Sequence, residues 1–253
     1  MTSMSATPIV RMSGIGKSFG ALQALREVDF ELHQGEVLAL LGDNGAGKST
    51  LIKCLSGYYR PDVGIIEIEG VARTLASPQE ARAAGIETIY QDLALFDNLD
   101  VAANVFAGQE RRAAGILGRL GFVDRRAMRR AATDAVSRMA VSIPDVSRAV
   151  ENFSGGQRQC VAIGRAMLWG RRVLIMDEPT AALGVRETAH VLDLIRDAKR
   201  LGLSIILIMH NIDHVLQVAE RAIVMRSGCR RGTVDIAGPE DTDARRAIVE
   251  MLM

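Results

Sequence analysis

The sequence is poor in cysteine and in net charge. Its three cysteines, Cys54, Cys160 and Cys229, are odd in number and far apart, so a disulfide framework is not expected and no metal-type cysteine spacing exists. We therefore expect a reducing, cytoplasmic setting. The formal net charge is only +1, which provides no overall field for nucleic acid or for an anionic membrane, and we expect no nucleic-acid partner.

Long hydrophobic runs are also missing. The longest ones, at residues 37–41 and 205–209, are far shorter than the roughly 20 residues that cross a bilayer. The N-terminal residues lack the apolar stretch of a signal peptide. Hydrophobic residues nevertheless make up 48% of the 253 residues, and the mean hydropathy is +0.13. These values indicate a large buried core, or a surface that docks onto another molecule.

The order of strand and helix patterns indicates an α/β protein. Residues 8–32 alternate between apolar and polar positions, as in a strand with one exposed face. The runs at 37–42, 173–176 and 204–209 are continuously apolar, which is typical of strands buried on both faces of a parallel sheet. Helical patterns lie between these runs, so we expect a mostly parallel sheet covered by helices.

Helix boundaries are also readable, and one segment departs from the alternation. Ser77, followed by proline, has the pattern of a capping-box start, and Gly202 closes a later helical pattern. Residues 92–150 contain no strong strand run and predict a mostly helical insert. Within it, residues 110–139 hold eight arginines and three acids, a local charge of +5 (8 − 3). This basic run indicates a solvated face, or a surface for a partner or for lipid headgroups.

The stretch "GDNGAGKST" at residues 42–50 matches the phosphate-binding loop pattern G-x-x-x-x-G-K-[ST]. It follows an apolar strand and begins a helical run, which is the context that the motif requires. Its glycines let backbone N–H groups surround phosphate oxygens, assisted by the positive end of the helix. We expect Lys48 to bind the β- and γ-phosphates, Ser49 to bind Mg²⁺ and Thr50 to support the phosphates. A chance glycine-rich turn is the alternative.

Acidic and histidine residues follow two other predicted strands. In "RRVLIMDEPT", Asp177 can hold the magnesium ion and Glu178 can act on a water in line with the γ-phosphate, because consecutive strand residues point in different directions. In "ILIMHNIDH", His210 lies at the same sheet edge and within reach of the γ-phosphate. His210 and His214 also have the spacing of a zinc pair, for which the sequence offers no third ligand.

A second glycine-rich stretch, "SGGQ" at residues 154–157, also precedes a helical pattern but has no lysine nearby. Taken alone, it is equally typical of an ordinary helix N-cap. Together with "GDNGAGKST", "MDEPT" and "MHN", in this order and spacing, it resembles the ATP-binding subunits of ABC transporters over about residues 8–230. In that family, the signature of one subunit closes on the ATP held by the phosphate loop of a second subunit. A lysine-free loop suits that task.

The resemblance implies a fold and a division of the chain. The fold is α/β: a P-loop NTPase (RecA-like) core with a mostly parallel sheet, an N-terminal antiparallel β part and an inserted α-helical subdomain. Residues 1–253 would form one ABC ATPase domain. The core would comprise residues 1–91 and 151–230, the helical subdomain about 92–150, and a short tail of strand and helix 231–253.

The resemblance also implies roles for individual residues. Phe19 would stack on adenine, and Gln91 would sense Mg²⁺ and the attacking water. Mg²⁺ would be held by Ser49, Gln91 and Asp177, and catalysis would involve Lys48, Gln91, Glu178 and His210. The residues implied to contact ATP, in one subunit or across the dimer, are Phe19, Gly42, Asp43, Asn44, Gly45, Ala46, Gly47, Lys48, Ser49, Thr50, Phe153, Ser154, Gly155, Gly156 and Gln157.

Three positions depart from the family pattern. Phe153 replaces the leucine that usually begins the signature, and Met209 replaces a common serine. Gly184 stands where an aspartate normally contributes to communication between the subunits. This last change puts tight communication in doubt, but not nucleotide binding.

The pattern around residues 77–108 and the "DEPTAALG" stretch resemble the simple-sugar importers of ribose and fructose type, in the single-cassette form. The implied partners are a second copy of the chain, transmembrane permease subunits and, indirectly, a periplasmic sugar-binding protein. The implied location is peripheral, at the cytoplasmic face of the inner membrane. The alternatives are a soluble ABC-type ATPase acting on nucleic acid or ribosomes, an inactive partner subunit, and a subunit for a solute other than sugar.

Overall fold

The structure is a computed structural model that describes residues 7–90, 92–139, 143, 145–181 and 183–253. The chain divides into two compact units. The first unit contains the described residues up to 88, together with residues 172–179 and 199–253. The second contains the described residues among 89–171 and 180–198.

An antiparallel sheet of four strands lies in the first unit, in the order β2-β1-β4-β5. The strands are β1 (Val10–Phe19), β2 (Leu22–Leu32), β4 (Val63–Ile68) and β5 (Val71–Arg73). In β1, Val10 pairs with Leu32 on one side and with Ile68 on the other. Buried and exposed positions alternate at the start of β1. The alternation of the sequence over residues 8–32 thus corresponds to strands with one buried face.

The second sheet is mostly parallel, with the order β10-β9-β3-β8-β7-β6. Its strands are β3 (Val37–Leu41), β6 (Ile86–Ile89), β7 (Val173–Asp177), β8 (Ser204–Ile208), β9 (Arg221–Arg226) and β10 (Cys229–Asp235). Every residue of β3 and β8 is buried, as expected for central strands covered on both faces. The pairs β9–β3, β3–β8 and β8–β7 are parallel, whereas β10 is antiparallel to β9. The predicted α/β class with an antiparallel part is confirmed.

The helices of the first unit are α1 (Lys48–Leu55), α2 (Pro78–Ala83), α8 (Ile212–Val218) and α9 (Thr242–Leu252). The Ser77 side chain accepts a hydrogen bond from the Glu80 backbone N–H, as a cap does. The Glu80 carboxylate accepts from Ala76 N rather than from Ser77 N, so the reciprocal half of the expected capping box is shifted by one residue. Strand β10 and helix α9 confirm the strand and helix expected after residue 230.

The second unit is mostly helical. It contains α3 (Val101–Phe106), α4 (Gly115–Arg119), α5 (Arg125–Val136), α6 (Gly155–Leu168) and most of α7 (Val185–Arg200). Helices α3, α5 and α6 pack on one another. Trp169, directly after α6, anchors this packing: its indole N–H donates to Val105 O at 2.9 Å, and its ring meets Phe106 edge-on. Within the described ranges, no helix combines the length and the apolar character of a membrane span.

Candidate functional site

The phosphate loop connects the buried strand β3 to helix α1. Its backbone requires glycine at two points. Gly42 has φ +147°, and a Cβ there would lie 2.3 Å from Met225 O. Gly47 has φ +102°, and a Cβ there would lie 2.9 Å from Ala24 O. Both positions therefore combine a left-handed backbone with close packing on neighbouring strands, which only glycine accommodates.

Lys48 lies in the first turn of α1 and is 6% exposed. Its ammonium donates hydrogen bonds to the carbonyl oxygens of Gly42 at 2.6 Å and Asp43 at 3.0 Å, so the lysine closes the loop on itself. Burial lowers the Lys48 pKa, whereas the carboxylates of Glu178, Asp43 and Asp177 oppose this shift. The result is a largely desolvated cation that is hydrogen-bonded to the carbonyl oxygens of its own loop.

Other loop residues present their polar groups outward. Asp43, Asn44 and Ser49 are exposed, and Thr50 is half-buried. Ser49 and Thr50 lie in the first turn of α1, where backbone N–H groups have no partner within the helix. The predicted loop therefore offers hydroxyl and N–H donors beside the Lys48 ammonium, which is the chemistry of an anion site.

Asp177 ends strand β7 and is half-buried. Burial, followed by the nearby charge of Glu178, raises the Asp177 pKa, and the cations Lys48 and Lys53 oppose that rise. Two carboxylates thus lie close together at the end of one strand. Such a pair is costly without a cation, and it gives this edge of the sheet a physical reason to bind one.

Glu178 has a left-handed backbone, with φ +50°, which is rare for a residue with a side chain. Its N–H donates at 2.9 Å to the carbonyl oxygen of Ile208, the last residue of the neighbouring strand β8. One Glu178 carboxylate oxygen lies 2.8 Å from His210 Nε2, a hydrogen-bond distance. Strained backbone of this kind concentrates at functional sites. The structure thus brings together the acid and the histidine that the sequence placed on the same sheet edge.

Phe19 ends strand β1 and is 41% exposed. The ring contacts Tyr59 edge-on, with the centroids 5.1 Å apart, and Lys17 Nζ lies 5.6 Å from the Phe19 centroid. These contacts hold the ring in place and leave part of it open. Phe19 therefore has the form of a platform on which a flat base can stack.

A cleft of about 410 Å³ in the first unit collects these groups. The volume lies within the range usual for small-molecule sites. The lining combines an aromatic ring with a phosphate loop, two acids and a histidine, which are the groups expected around the ligand. Its lining includes Phe19, Asn44, Gly45, Ala46, Gly47, Lys48, Ser49, Thr50, Asp177, Glu178 and His210.

The turn at Ser227 and Gly228, between β9 and β10, also lines this cleft, and sequence reasoning did not find it. Gly228 has φ +77°, its N–H donates to Ala46 O, and its carbonyl accepts from Arg26 N. The turn therefore connects the phosphate loop to strand β2 through backbone hydrogen bonds. The "SG" dipeptide between two strands predicts a turn, but nothing local indicates what the turn contacts.

The signature residues 154–157 lie in the second unit, at the start of α6. Ser154 Oγ accepts from Gln157 N at 3.3 Å, and the Gln157 side chain accepts from Ser154 N at 3.0 Å, which forms a capping box. Phe153 is buried, so its bulk is accommodated by packing. Added Cβ atoms at Gly155 and Gly156 would only reach ordinary contact distance, at 3.5 and 3.7 Å.

Gly184 directly precedes helix α7. Gly184 O accepts from Thr188 N at the start of α7, and a Cβ on Gly184 would lie 2.6 Å from a Glu187 carboxylate oxygen. The glycine therefore allows Glu187 to approach the backbone of the chain at this point. Gln91 lies outside the described residues.

The fold and the cleft define a P-loop nucleotide-binding protein. The sequence model described as "ABC transporter" matches residues 25–181. The chain belongs to the ABC transporter family, and it is an ABC-type ATPase with the family's nucleotide-binding cassette.

The chain is similar to several import ATP-binding proteins over most of its length. The chain is 47% identical to the fructose import ATP-binding protein of Rhizobium meliloti, over 98% of this chain and 95% of that protein. It is 44% identical to the xylose/arabinose import ATP-binding protein of Sulfolobus acidocaldarius, over 87% and 85%. It is 42% identical to the ribose import ATP-binding protein of Burkholderia mallei, over 97% of this chain but 46% of that protein.

Solved structures share the fold. An ATP-binding cassette of an ABC transporter is 26% identical, with a TM-score of 0.81 over 98% of this chain and 100% of that one. A dimeric ATP-binding cassette bound to ADP and Pi is 22% identical, with a TM-score of 0.71 over 90% and 99%, and shows the fold alone.

Proposed function

We propose that this chain is the ATP-hydrolysing subunit of a membrane importer of simple sugars. One observation carries the proposal: a single cleft gathers Lys48, Asp177, Glu178 and His210 around a phosphate loop. The sugar is inferred from relatives that are named for fructose, xylose/arabinose and ribose import. Because sugar contacts lie on other subunits, the cleft itself selects only the nucleotide.

ATP would lie along the cleft with its adenine on the open face of Phe19. Lys48 would exchange its hydrogen bonds to the loop carbonyls for bonds to the β- and γ-phosphates, which a desolvated ammonium binds strongly. The loop N–H groups and the start of α1 add further donors. Binding would thus replace hydrogen bonds to neutral carbonyl oxygens with hydrogen bonds to charged phosphate oxygens.

The donor set also fits Mg²⁺, a cation that prefers oxygen ligands and usually binds one or two carboxylates together with phosphates. We propose Ser49 and Asp177 as its ligands, with Gln91 as a further one. When bound, the ion would neutralise charge on the phosphate oxygens. The raised pKa of Asp177, which arises from burial and from Glu178, is consistent with a carboxylate that awaits a cation.

Hydrolysis would depend on Glu178 and His210. The Glu178 carboxylate would orient the attacking water and accept its proton. His210, at hydrogen-bond distance from that carboxylate, would hold it in position and contact the γ-phosphate. The left-handed backbone of Glu178 directs the side chain away from the path that a continuing strand would give it.

The signature would complete the site of a second copy in a head-to-tail dimer. Ser154 Oγ accepts a hydrogen bond within its own helix start, and its hydroxyl proton remains available for a phosphate oxygen. The N-terminal N–H groups of α6 would assist. No lysine accompanies these groups, so they would bind phosphate only after Lys48 of the other copy holds it. Dimer closure would therefore depend on ATP.

A groove in the second unit offers a place for a permease subunit. It has a volume of about 580 Å³ and combines apolar residues such as Leu99, Val123 and Met128 with the charged Asp100 and Arg129. An amphipathic helix from the cytoplasmic side of a permease would fit such a groove. The chain would then lie peripherally at the cytoplasmic face of the inner membrane, and a periplasmic sugar-binding protein would act with it indirectly.

Uptake assays in cells test this function. Cells whose copy carries Glu178→Gln should lose ATP-dependent uptake of one labelled sugar among fructose, ribose, xylose and arabinose, whereas cells with the wild-type chain should retain it. Unchanged uptake of all four, together with recovery of the protein with ribosomes rather than membranes, would contradict the import function.

A further inference from the structure

An exposed apolar loop protrudes from the second unit between residues 111 and 124. Its base is closed by backbone hydrogen bonds from Ala113 N to Phe122 O and from Asp124 N to Arg111 O. The short helix α4 forms its end. The loop is therefore a defined structure, although it encloses almost no core.

Four large apolar side chains point outward from this loop. Ile116, Leu117, Leu120 and Phe122 are 75%, 56%, 68% and 59% exposed. Helix α4 buries only Gly118, whose Cα approaches the loop base so closely that an added Cβ would lie 1.9 Å from Ala113 O. Because the helix packs through its glycine, its large side chains face solvent. We name these four residues the apolar tip.

Cations without carboxylate partners surround the apolar tip. Arg112, Arg119 and Arg126 are exposed, and in the described part of the chain no carboxylate lies within ion-pair distance of them. The two nearest acids in sequence are engaged by backbone N–H groups: Glu110 accepts from Gly108 N and Asp124 from Ala127 N. These acids keep their charge, but residues 110–126 hold five arginines against the two of them, so the surroundings of the tip carry a net charge of +3 (5 − 2).

We propose that the apolar tip and its arginines bind the surface of an anionic phospholipid membrane. Apolar side chains beside unpaired arginines match the layered chemistry of a lipid interface, with acyl chains beneath phosphate headgroups. Arginine also binds phosphate in a bidentate manner. The tip is a protrusion, whereas a permease helix would require a groove such as the one described above. The apolar tip shares no residue with the lining of the nucleotide cleft.

Vesicle co-sedimentation of the full chain tests the proposal. The probes are phosphatidylcholine vesicles, alone and with about one third phosphatidylglycerol. We expect binding to the anionic vesicles only, and at least about tenfold weaker binding after Ile116→Ser, Leu117→Ser, Leu120→Ser and Phe122→Ser are combined. Combining Arg112→Gln, Arg119→Gln and Arg126→Gln should weaken binding by a similar factor.

Matched controls separate the tip from general surface effects. Val63→Ser with Ile65→Ser removes equally exposed apolar side chains from β4, and Arg230→Gln with Arg231→Gln removes exposed charges from β10. Both pairs should leave vesicle binding unchanged. The tip variants should retain the wild-type melting temperature and ATPase rate, since they alter only exposed side chains.

Four results would overturn the proposal. The first is no binding at about millimolar lipid, and the second is equal binding to both vesicle compositions. The third is binding to vesicles from native membranes but not to pure lipid vesicles, with that binding weakened by the tip variants. This result would identify a membrane protein as the occupant of the tip. A dimer that is lost in the tip variants would instead assign the tip to contact with a second copy.

Discussion

The substitution Glu178→Gln removes a charge from the site with little change in shape. Glutamine keeps an oxygen that can face His210 Nε2 across the same 2.8 Å contact, and it keeps the side-chain length. The strained backbone at φ +50° is also unchanged. What is lost is the ability to accept a proton from water.

The expected loss of rate follows from that role. A positioned general base contributes about 10²–10⁴-fold, which corresponds to about 2.7–5.4 kcal/mol of the barrier. We therefore expect the single-turnover rate of Mg-ATP hydrolysis to fall by about 10²–10⁴-fold. ATP affinity should hold or increase, because one negative charge leaves a cleft that binds a polyphosphate.

The assay measures phosphate release under single-turnover conditions and ATP affinity by fluorescence titration. Glu240→Gln, the same change at an exposed acid, is the matched control and should leave both quantities unchanged. A Glu178→Gln rate within about threefold of wild type would refute the assignment of Glu178 as the base. A large loss of ATP affinity would mean that the residue mainly supports binding.

Three further predictions concern stability and the signature. Asp177→Asn should raise the melting temperature of the nucleotide-free protein near neutral pH, because burial and Glu178 raise the Asp177 pKa and make its charged form costly there. This gain should disappear as the pH falls and the Asp177 carboxyl becomes neutral. The same substitution should abolish magnesium-dependent hydrolysis. Gly47→Ala should destabilise the protein by about 1–3 kcal/mol, and by more than Gly45→Ala, because only the Gly47 Cβ meets a carbonyl oxygen; urea unfolding measures both. Ser154→Ala should cost about 1 kcal/mol through the lost cap, with no change in ATP affinity of the monomer.

Local patterns predicted most of the core. The fully buried β3 and β8 are the continuous apolar runs of the sequence, and the alternating residues 8–32 form the antiparallel strands. Such patterns succeed because burial on one or both faces of a sheet imposes its period directly on the residues. The phosphate loop was also predictable from local sequence, because its backbone adopts positive φ values that glycine accommodates best.

Contacts between distant segments were not predictable. The hydrogen bond between Glu178 and His210 joins the ends of two strands, and only the pairing of β7 with β8 sets its length. Likewise, the turn at Gly228 shows its role only beside Ala46. In the sequence, the residues of the apolar tip are not distinguishable from the rest of the predicted helical insert. Their exposure follows from the packing of Gly118 against the loop base, which leaves the large side chains of α4 facing solvent.

The central claim is that the signature of one copy binds the ATP held by another. Sedimentation velocity of Glu178→Gln, with and without Mg-ATP, tests it most directly, because this variant should bind ATP without consuming it. The account predicts a shift from the monomer mass of 27.4 kDa to about twice that value on addition of Mg-ATP, and loss of the shift when Ser154→Arg is added. A monomer that persists in saturating Mg-ATP, or a dimer that Ser154→Arg leaves intact, would contradict the claim.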